Sequence, residues 1–412
     1  MEIIISKVKS KPVKKALYIL FFAFVSFSLS LNAQSWEQHA DIPGGTRHHP
    51  ICFSIDDIGY VLCGNPNPAE TSDPALKDFY SYDPATDVWT KKADFPGSPR
   101  GFGVGLNYNE KGYVGFGYGD NMYLNDLWEY DAEKDEWTQL PSCPCLGRTH
   151  PAFLAAQGKI YVGLGGVGTN ARDWWSYDLD DRRWTQEQAY PGIARHHPYY
   201  FTVDDIPYVG FGHSANAIHN DFGMFDPANR EWVLMNQFPS HERVAGTHFA
   251  FNGKGYILAG DNELHRYDEA ELWEYTPTND SWVQLPTFPE DGRWAPGAFV
   301  IGNRGYLIAG YARNTRVYHN DLWSYQLSPT TSTDDEVKID LTISPNPAVD
   351  VVTLQGEWPS QTSFEVFDQG GRQVAVLAPG QKELLVSGWT TGVYFIRSPD
   401  APSVNVGSFV KK

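Results

Sequence analysis

The sequence of 412 residues contains only four cysteines and four methionines, and its 32 lysines and arginines are outnumbered by 50 aspartates and glutamates. Two disulfides cannot cross-link a chain of this length, so packing has to stabilise the fold. The formal charge of −18 disfavours nucleic acid or an anionic membrane as a partner. Glycine and aromatic residues are abundant, with 38 Gly, 14 Trp, 23 Tyr and 23 Phe, which predicts many short strands.

The chain also lacks long apolar runs, except for one near its start. Residues 16–31 are apolar, several lysines precede them, and Ala33 is a small residue suited to a cleavage point. This pattern predicts a secretory signal peptide over residues 1–33 and a mature chain without a transmembrane anchor. Removal of residues 1–33 would leave a formal charge of about −22.

A fixed spacing of aromatic, basic and glycine residues recurs through most of the remaining chain. Six tryptophans are each followed eleven residues later by an arginine, after a further thirteen by a tyrosine and after four more by a glycine. An acid follows the glycine at a variable spacing of 8 to 14 residues, which confines length variation to one loop per repeat. The segments between these markers each predict one four-stranded sheet. The six arginines are Arg47, Arg100, Arg148, Arg195, Arg243 and Arg293.

This repeat resembles that of the kelch family of β-propellers, through "PRGFGVGLNYNEKGYVGFG", "NDLWEYDAEKDEW" and their counterparts in residues 36–327. The sixth repeat lacks its last strand, whereas the first begins with an extra strand around Trp36. In a ring, that strand would complete the last sheet and remove an open edge. We therefore expect an all-β protein with a six-bladed kelch-type propeller in residues 34–327, closed by the N-terminal strand.

The rest of the chain has a different pattern. Residues 328–336 are polar and predict a linker, whereas residues 337–412 alternate short strands with Gly and Pro turns, which predicts a small β-sandwich. That segment resembles the C-terminal sorting domain of the type IX secretion pathway, through Pro345-Asn346-Pro347, Gly392-Val393-Tyr394 and Lys411-Lys412. The resemblance implies contact with that secretion machinery, then release or attachment at the outer cell surface. An adhesive sandwich without a sorting role is the alternative.

The six arginines would surround one mouth of the central channel, on the face that carries the variable loops. Two hypotheses compete for them. Each arginine pairs with the acid that begins the third strand of its own or a neighbouring repeat and locks the fold, or part of the ring stays unpaired and binds a carboxylate or phosphate. In kelch propellers this face commonly binds ligands, so the resemblance implies a binding role here.

Three repeats place a histidine two residues after the arginine, at His49, His150 and His197. We interpret these as channel-lining or hydrogen-bonded side chains and expect no metal, because imidazoles from sheets across a channel are usually too far apart for one ion. The preceding His48 and His196 should face the opposite side of the strand. Loop aromatics beside cations suit glycan or anion recognition. These candidate ligand contacts are Tyr118, His213, Tyr311, Arg313 and Arg316.

The cysteines predict no bridge on which the scaffold depends. Cys52 should face Val61 across a hairpin, which leaves Cys63 as a diagonal neighbour too strained for a disulfide. Cys143 and Cys145, separated by one residue, would also close awkwardly.

These observations favour a secreted or cell-surface binding module for a glycan, an anionic small molecule or a protein. The alternative is a sugar-acid enzyme, because some kelch propellers are sialic acid mutarotases (N-acetylneuraminate epimerases), although no catalytic motif carries over residue by residue. A copper oxidase of the galactose oxidase kind is disfavoured, since no Tyr-Cys pair is identifiable. We expect no cofactor.

Overall fold

The computed structural model describes residues 36–66, 75–166, 168–262, 267–327, 342–355, 363–368, 372–398 and 401–412. The predicted signal peptide and linker lie outside these residues. In the described residues, strands form nearly all the regular structure, together with one 3₁₀ turn at Pro277–Asn279. Within the described segments, no helix has the length and apolar character needed to cross a membrane.

Five antiparallel sheets each consist of four strands arranged in chain order, and we number the sheets in the same order. Sheet 1 consists of Ile51–Ile55, Ile58–Leu62, Phe79–Asp83 and Val88–Lys91. Sheet 2 consists of Val104–Tyr108, Lys111–Gly115, Leu127–Asp131 and Glu136–Leu140. Sheet 3 consists of Ala152–Ala156, Lys159–Gly163, Trp174–Asp178 and Arg183–Glu187. Sheet 4 consists of Tyr199–Val203, Ile206–Gly210, Phe222–Asp226 and Glu231–Leu234. Sheet 5 consists of Thr247–Phe251, Lys254–Leu258, Leu272–Thr276 and Ser281–Leu285.

Sheet 6 combines the two ends of the repeat region. Its strands Gly297–Ile301, Arg304–Ala312 and Val317–Gln326 are joined at the edge by Trp36–His39. The edge strand is antiparallel to its neighbour, with Trp36 opposite Tyr325. The predicted pairing of the strand around Trp36 with the last repeat is therefore confirmed.

Adjacent sheets pack face to face through aromatic side chains. Each of six hydrophobic clusters joins two successive sheets, and one of them joins sheet 6 back to sheet 1. Glycines in second strands make room for phenylalanines of the neighbouring sheet: a Cβ on Gly59 would lie 2.5 Å from the Phe299 ring, and one on Gly112 would lie 2.4 Å from the Phe53 ring. The contacts between sheets thus close in a cycle and give a β-propeller-like fold.

Residues 342–411 carry two further sheets. The first contains Thr342–Ser344, Val351–Gln355 and Glu383–Leu385, and the second contains Phe364–Phe367, Gln373–Leu377, Gly392–Ser398 and Ala401–Lys411. Buried residues of both sheets, such as Leu354 and Ile396, belong to one hydrophobic cluster. The two sheets therefore share a core.

The structure corrects one expectation about the cysteines. Cys143 and Cys145 form a disulfide, which constrains only the turn between them. Cys52 and Cys63 are free, and Cys52 faces Val61 as predicted. Neither the disulfide nor the two free cysteines connect distant parts of the scaffold.

The closing strand gives a direct test of the fold. The Trp36 ring lies 5.0 Å from the Phe288 ring and 5.1 Å from the Tyr325 ring, and its indole N–H donates to the Pro286 carbonyl at 3.2 Å. We expect Trp36→Ala to lower the free energy of unfolding by about 3 kcal/mol, because it removes a packed aromatic ring. Urea denaturation measures this change. Gln38→Ala, an exposed change in the same strand, is the control, and equal effects of both variants would contradict the packing role.

Candidate functional site

Every repeat arginine lies just before the first strand of its sheet, with at most 1% of its surface exposed. Its guanidinium pairs with an acid of the same sheet, which directly precedes the third strand in sheets 1–5 and lies within that strand in sheet 6. Arg100, for example, donates to the two carboxylate oxygens of Asp126 at 2.8 and 2.7 Å. The six pairs are Arg47–Asp78, Arg100–Asp126, Arg148–Asp173, Arg195–Asp221, Arg243–Glu271 and Arg293–Asp321.

In five of the six repeats, the arginine also donates to a carbonyl of the turn that carries the repeat glycine. Arg100 Nη1 donates to the Phe116 carbonyl at 3.1 Å. Phe116 and Gly117 both have left-handed backbones, with φ of 59° and 98°. A Cβ on Gly117 would lie 2.6 Å from the Gly101 carbonyl oxygen, so only glycine fits. The fixed spacing of arginine and glycine is therefore explained by one local contact.

These contacts correspond to the hypothesis in which the ring locks the fold. Although burial opposes ionisation, hydrogen bonds from Arg148 hold the pKa of the Asp173 carboxyl below its usual value. An aromatic ring also covers the guanidinium in several repeats, as Phe95 covers Arg100 at 4.8 Å. All six guanidiniums are buried and paired, and this does not favour direct contact of the arginines with a ligand. That contact stays a prediction.

The three repeat histidines meet at one point, which corrects the expectation that they would be too far apart to share an ion. His49 Nε2 lies 3.0 Å from His197 Nε2, and the His150 and His197 rings stack with centroids 3.4 Å apart. Burial lowers the pKa of all three imidazoles well below the ordinary value, and the neighbouring histidines lower it further. They are therefore neutral at pH 7.

Backbone hydrogen bonds between neighbouring repeats explain this close approach. The His49 N–H donates to the Ala295 carbonyl at 2.8 Å, and the His197 N–H donates to the His150 carbonyl at 3.2 Å. A ring closed by such bonds is narrow enough for side chains from three sheets to touch. The sequence does not reveal this narrowness, because it depends on the closure of the whole ring.

A cavity of about 140 Å³ adjoins the three histidines. The first strands of all six sheets, or the residues just before them, contribute to its wall. Its lining includes Cys52, Gly105, Pro151, Tyr200, His248 and Ala298.

A second group of side chains lies beside the histidines, and we call it the mouth cluster: His48, Trp294, Tyr311, Arg313 and Tyr318. The Arg313 guanidinium lies 4.9 Å from the Trp294 ring centroid, and the His48 ring lies 5.0 Å from the same ring. Tyr311 and Tyr318 stack at 4.1 Å. The mouth cluster thus combines flat rings with a cation.

Two acids contact Arg313 of the mouth cluster. Asp261 and Asp268 are buried, Asp261 forms an ion pair with Arg313, and the Arg313 backbone N–H donates to Asp268 at 2.6 Å. Burial raises the pKa of the Asp268 carboxyl to about 7, although Arg313 opposes the shift. Asp268 is therefore a group able to exchange a proton near neutral pH.

The prediction that His48 and His196 face away from the next histidine is wrong. The His48 and His49 rings are 4.8 Å apart, and the His196 and His197 rings are 4.9 Å apart. His49 and His197 have φ of 52° and 53°, so the alternation of a strand does not apply at these positions.

The remaining predicted residues lie at different places. His213 is bridged to His196 through the backbone, with the two rings 5.3 Å apart. Arg316 is exposed in the turn between the second and third strands of sheet 6. Tyr118 packs against Tyr123 in the short ribbon Tyr118–Gly119 and Met122–Tyr123. Other short ribbons on the connections are Arg47–His48 with Asn65–Pro66 and Asp261–Asn262 with Tyr267–Asp268.

Sequence reasoning missed Trp294. It occupies the position directly after the repeat arginine, where two other repeats have His48 and His196. A comparison of this position across the repeats would have found it, because its side chain differs in kind from one repeat to the next while the arginine before it does not change.

Comparison with known proteins agrees with this geometry. Residues 22–195 match a family model described as the KLHDC2/KLHL20/DRC7 Kelch-repeats domain, and residues 342–412 match one described as the secretion system C-terminal sorting domain. The chain is a kelch-repeat protein with a type IX secretion sorting domain. That domain marks proteins for export, so this kelch-repeat protein reaches the cell surface or the outside of the cell.

Curated relatives are similar over short segments of the kelch-repeat protein. N-acetylneuraminate epimerase of Pasteurella multocida (strain Pm70) is 32% identical over 82 residues, which cover 20% of this chain and 21% of that protein. N-acetylneuraminate epimerase of Haemophilus influenzae (strain PittEE) is 28% identical over 101 residues, covering 24% of each chain. The similarity spans a quarter or less of these relatives.

The buried arginine ring predicts a stability effect. We expect Arg195→Met to lower the free energy of unfolding by about 3 kcal/mol or more, because it leaves the Asp221 carboxylate without its partner. Arg316→Met, at an exposed arginine in the turn between the second and third strands of sheet 6, should change it by less than about 1 kcal/mol. Urea denaturation of both variants measures the difference, and similar small losses would contradict the locking role.

The channel histidine His248 predicts a pH effect. Burial lowers the pKa of His248 to about 3, so the folded protein keeps it neutral while the unfolded chain protonates below about pH 6.5. The group therefore removes stability as the pH falls below 6.5, by at most about 1.4 kcal/mol per pH unit. His248→Phe should reduce the loss of unfolding free energy between pH 7 and pH 5. His241→Phe, at an exposed position, controls for the removal of one histidine.

Proposed function

We propose that the kelch-repeat protein is an exported six-bladed propeller whose mouth cluster binds a glycan. Its six sheets would be the blades, in residues 34–327, with residues 1–33 as signal peptide, residues 328–336 as linker and residues 337–412 as a sorting β-sandwich. Two observations support the propeller: the six hydrophobic clusters follow one another in a cycle, and the strand at Trp36 completes sheet 6. The shared core of the two C-terminal sheets supports the sandwich.

The stacking of Arg313 on Trp294 carries the binding proposal. Because the repeat arginines are buried in ion pairs, Arg313 is the cation in the mouth cluster that remains 39% exposed. Flat aromatic rings bind the apolar faces of sugars, and imidazole, phenol and guanidinium groups supply hydrogen bonds to hydroxyls and carboxylates. Arg313 pairs with Asp261 but has further N–H donors for a ligand. Neutral glycans and sugars that carry a carboxylate both suit this chemistry.

A glycan array probed with the full chain tests the proposal, followed by calorimetry with the glycans that bind. We expect Trp294→Ala to weaken binding more than about 10-fold, because stacking on an aromatic ring accounts for several times RT of the binding energy. Phe395→Ala is the control for the loss of an exposed aromatic ring, since Phe395 is 42% exposed in the C-terminal sheets.

Arg313→Met should weaken binding of carboxylate-bearing sugars more than that of neutral ones, because it removes a cation and keeps the length of the side chain. Arg372→Met, at a side chain 80% exposed in the C-terminal part, is the matched control. Unchanged affinity in both Trp294→Ala and Arg313→Met would overturn the mouth cluster as the glycan site.

A sugar-acid enzyme is the second candidate. The segments similar to N-acetylneuraminate epimerases favour it, and so does Asp268, whose pKa burial raises to about 7 beside Arg313. NMR of anomer interconversion in N-acetylneuraminate measures this activity. We expect Asp268→Asn to abolish any rate above that of buffer. A wild-type rate equal to that of buffer would contradict the enzyme candidate and leave glycan binding as the only proposal.

A further inference from the structure

Three imidazoles, from the repeats of sheets 1, 3 and 4, lie together on the wall of the central cavity. One ring nitrogen from each of His49, His150 and His197 lies within 4.8 Å of the other two. The distance between His49 Nε2 and His197 Nε2 is 3.0 Å. Three nitrogens that bind one zinc ion at 2.0–2.1 Å are separated by about 3.4 Å, so small rotations of the rings suffice to reach such a geometry.

The backbone holds these positions in place without a ligand. His49, His150 and His197 have φ between 50° and 53°, and so has Ala295 at the corresponding position of the sixth repeat. The left-handed turn therefore belongs to the scaffold, and three repeats add an imidazole to it. Hydrogen bonds between repeats fix the turns, since the His150 N–H donates to the Phe102 carbonyl at 3.0 Å. A site on such a rigid support is preorganised.

Three ring nitrogens of His150 and His197 also lack hydrogen-bond partners. Among the described residues, both ring nitrogens of His150 and Nδ1 of His197 are buried without a partner. Buried polar atoms in this state are unfavourable, and coordination of a metal would use the lone pair of a neutral imidazole.

We propose that His49, His150 and His197 bind one late first-row divalent metal ion of the zinc or copper class, with a fourth position open to the cavity. All three residues line that cavity, and three protein ligands with an open position are typical of reactive rather than structural zinc sites. Nitrogen ligands exclude calcium and magnesium, which require oxygen. This site goes beyond the proposed glycan binding and does not depend on it.

Two neighbouring features define the limits of the proposal. Arg313 lies near enough to His49 and His197 to repel a cation, but its ion pair with Asp261 offsets this charge. A second cluster with suitable donor atoms, Glu290, His319 and Asp321, is a different case. The Arg293 guanidinium already donates to both carboxylates of that cluster, at 3.0 and 2.8 Å, so we propose no metal there.

The test uses the full chain, stripped with a chelator and then titrated with ZnCl₂ or CuCl₂ in a calorimeter. We expect one equivalent of either ion per chain and no heat with CaCl₂ or MgCl₂. His150→Phe should weaken zinc binding more than about 100-fold, since loss of a direct ligand exceeds the effect of losing an outer-shell partner. His248→Phe removes another histidine of the same cavity and should leave stoichiometry and affinity unchanged.

Electron paramagnetic resonance of the Cu²⁺-loaded wild type keeps the test independent of how well a variant folds. We expect nitrogen hyperfine structure from three imidazoles. The proposal is overturned if zinc and copper fail to bind the wild type, if His150→Phe and His248→Phe bind zinc equally, or if the copper spectrum shows fewer than three nitrogen ligands.

Discussion

The buried pair of an arginine and an acid, repeated in six sheets, is the interaction on which the rest of this structure depends. In five of the six sheets, one guanidinium connects three chain segments: the entry to the first strand, the turn after the second and the start of the third. Because the charge is buried, each partner needs the other, and the repeat tolerates loss of neither. Length variation is therefore restricted to the loop that lies between the glycine and the acid.

Closure of the cycle of sheets brings side chains from different repeats into contact at the centre. When sheet 6 takes its edge strand from the start of the chain, the first strands of the six sheets, or the residues just before them, surround one cavity. Left-handed turns just before those strands are close enough to hydrogen-bond from repeat to repeat. Side chains at these turns, which belong to separate sheets, then touch, and the histidines and Trp294 form a continuous group of rings. A scaffold of uniform repeats thus acquires a centre in which the repeats differ.

The fold could be predicted in some detail, whereas the candidate site could be predicted only in part. The offset from tryptophan to arginine to glycine reflects the geometry of one sheet, so strands, hairpin register and the pairing of Trp36 followed from it. The acid partners of the arginines were also identifiable, as one of two hypotheses. The contact of His49 with His197 was not, because alternation along a strand predicts side-chain direction only where φ is extended, and both residues have a positive φ.

The sequence by itself determined the repeat, the C-terminal sorting domain and the residue types available at each repeat position, because these depend on local spacing along the chain. Only the tertiary structure decided that the arginines are buried locks, that three imidazoles share one point and that Arg313 stacks on Trp294. These contacts join residues from different sheets or depend on burial. Distances across a closed ring are set by how all the sheets pack, and no local pattern encodes them.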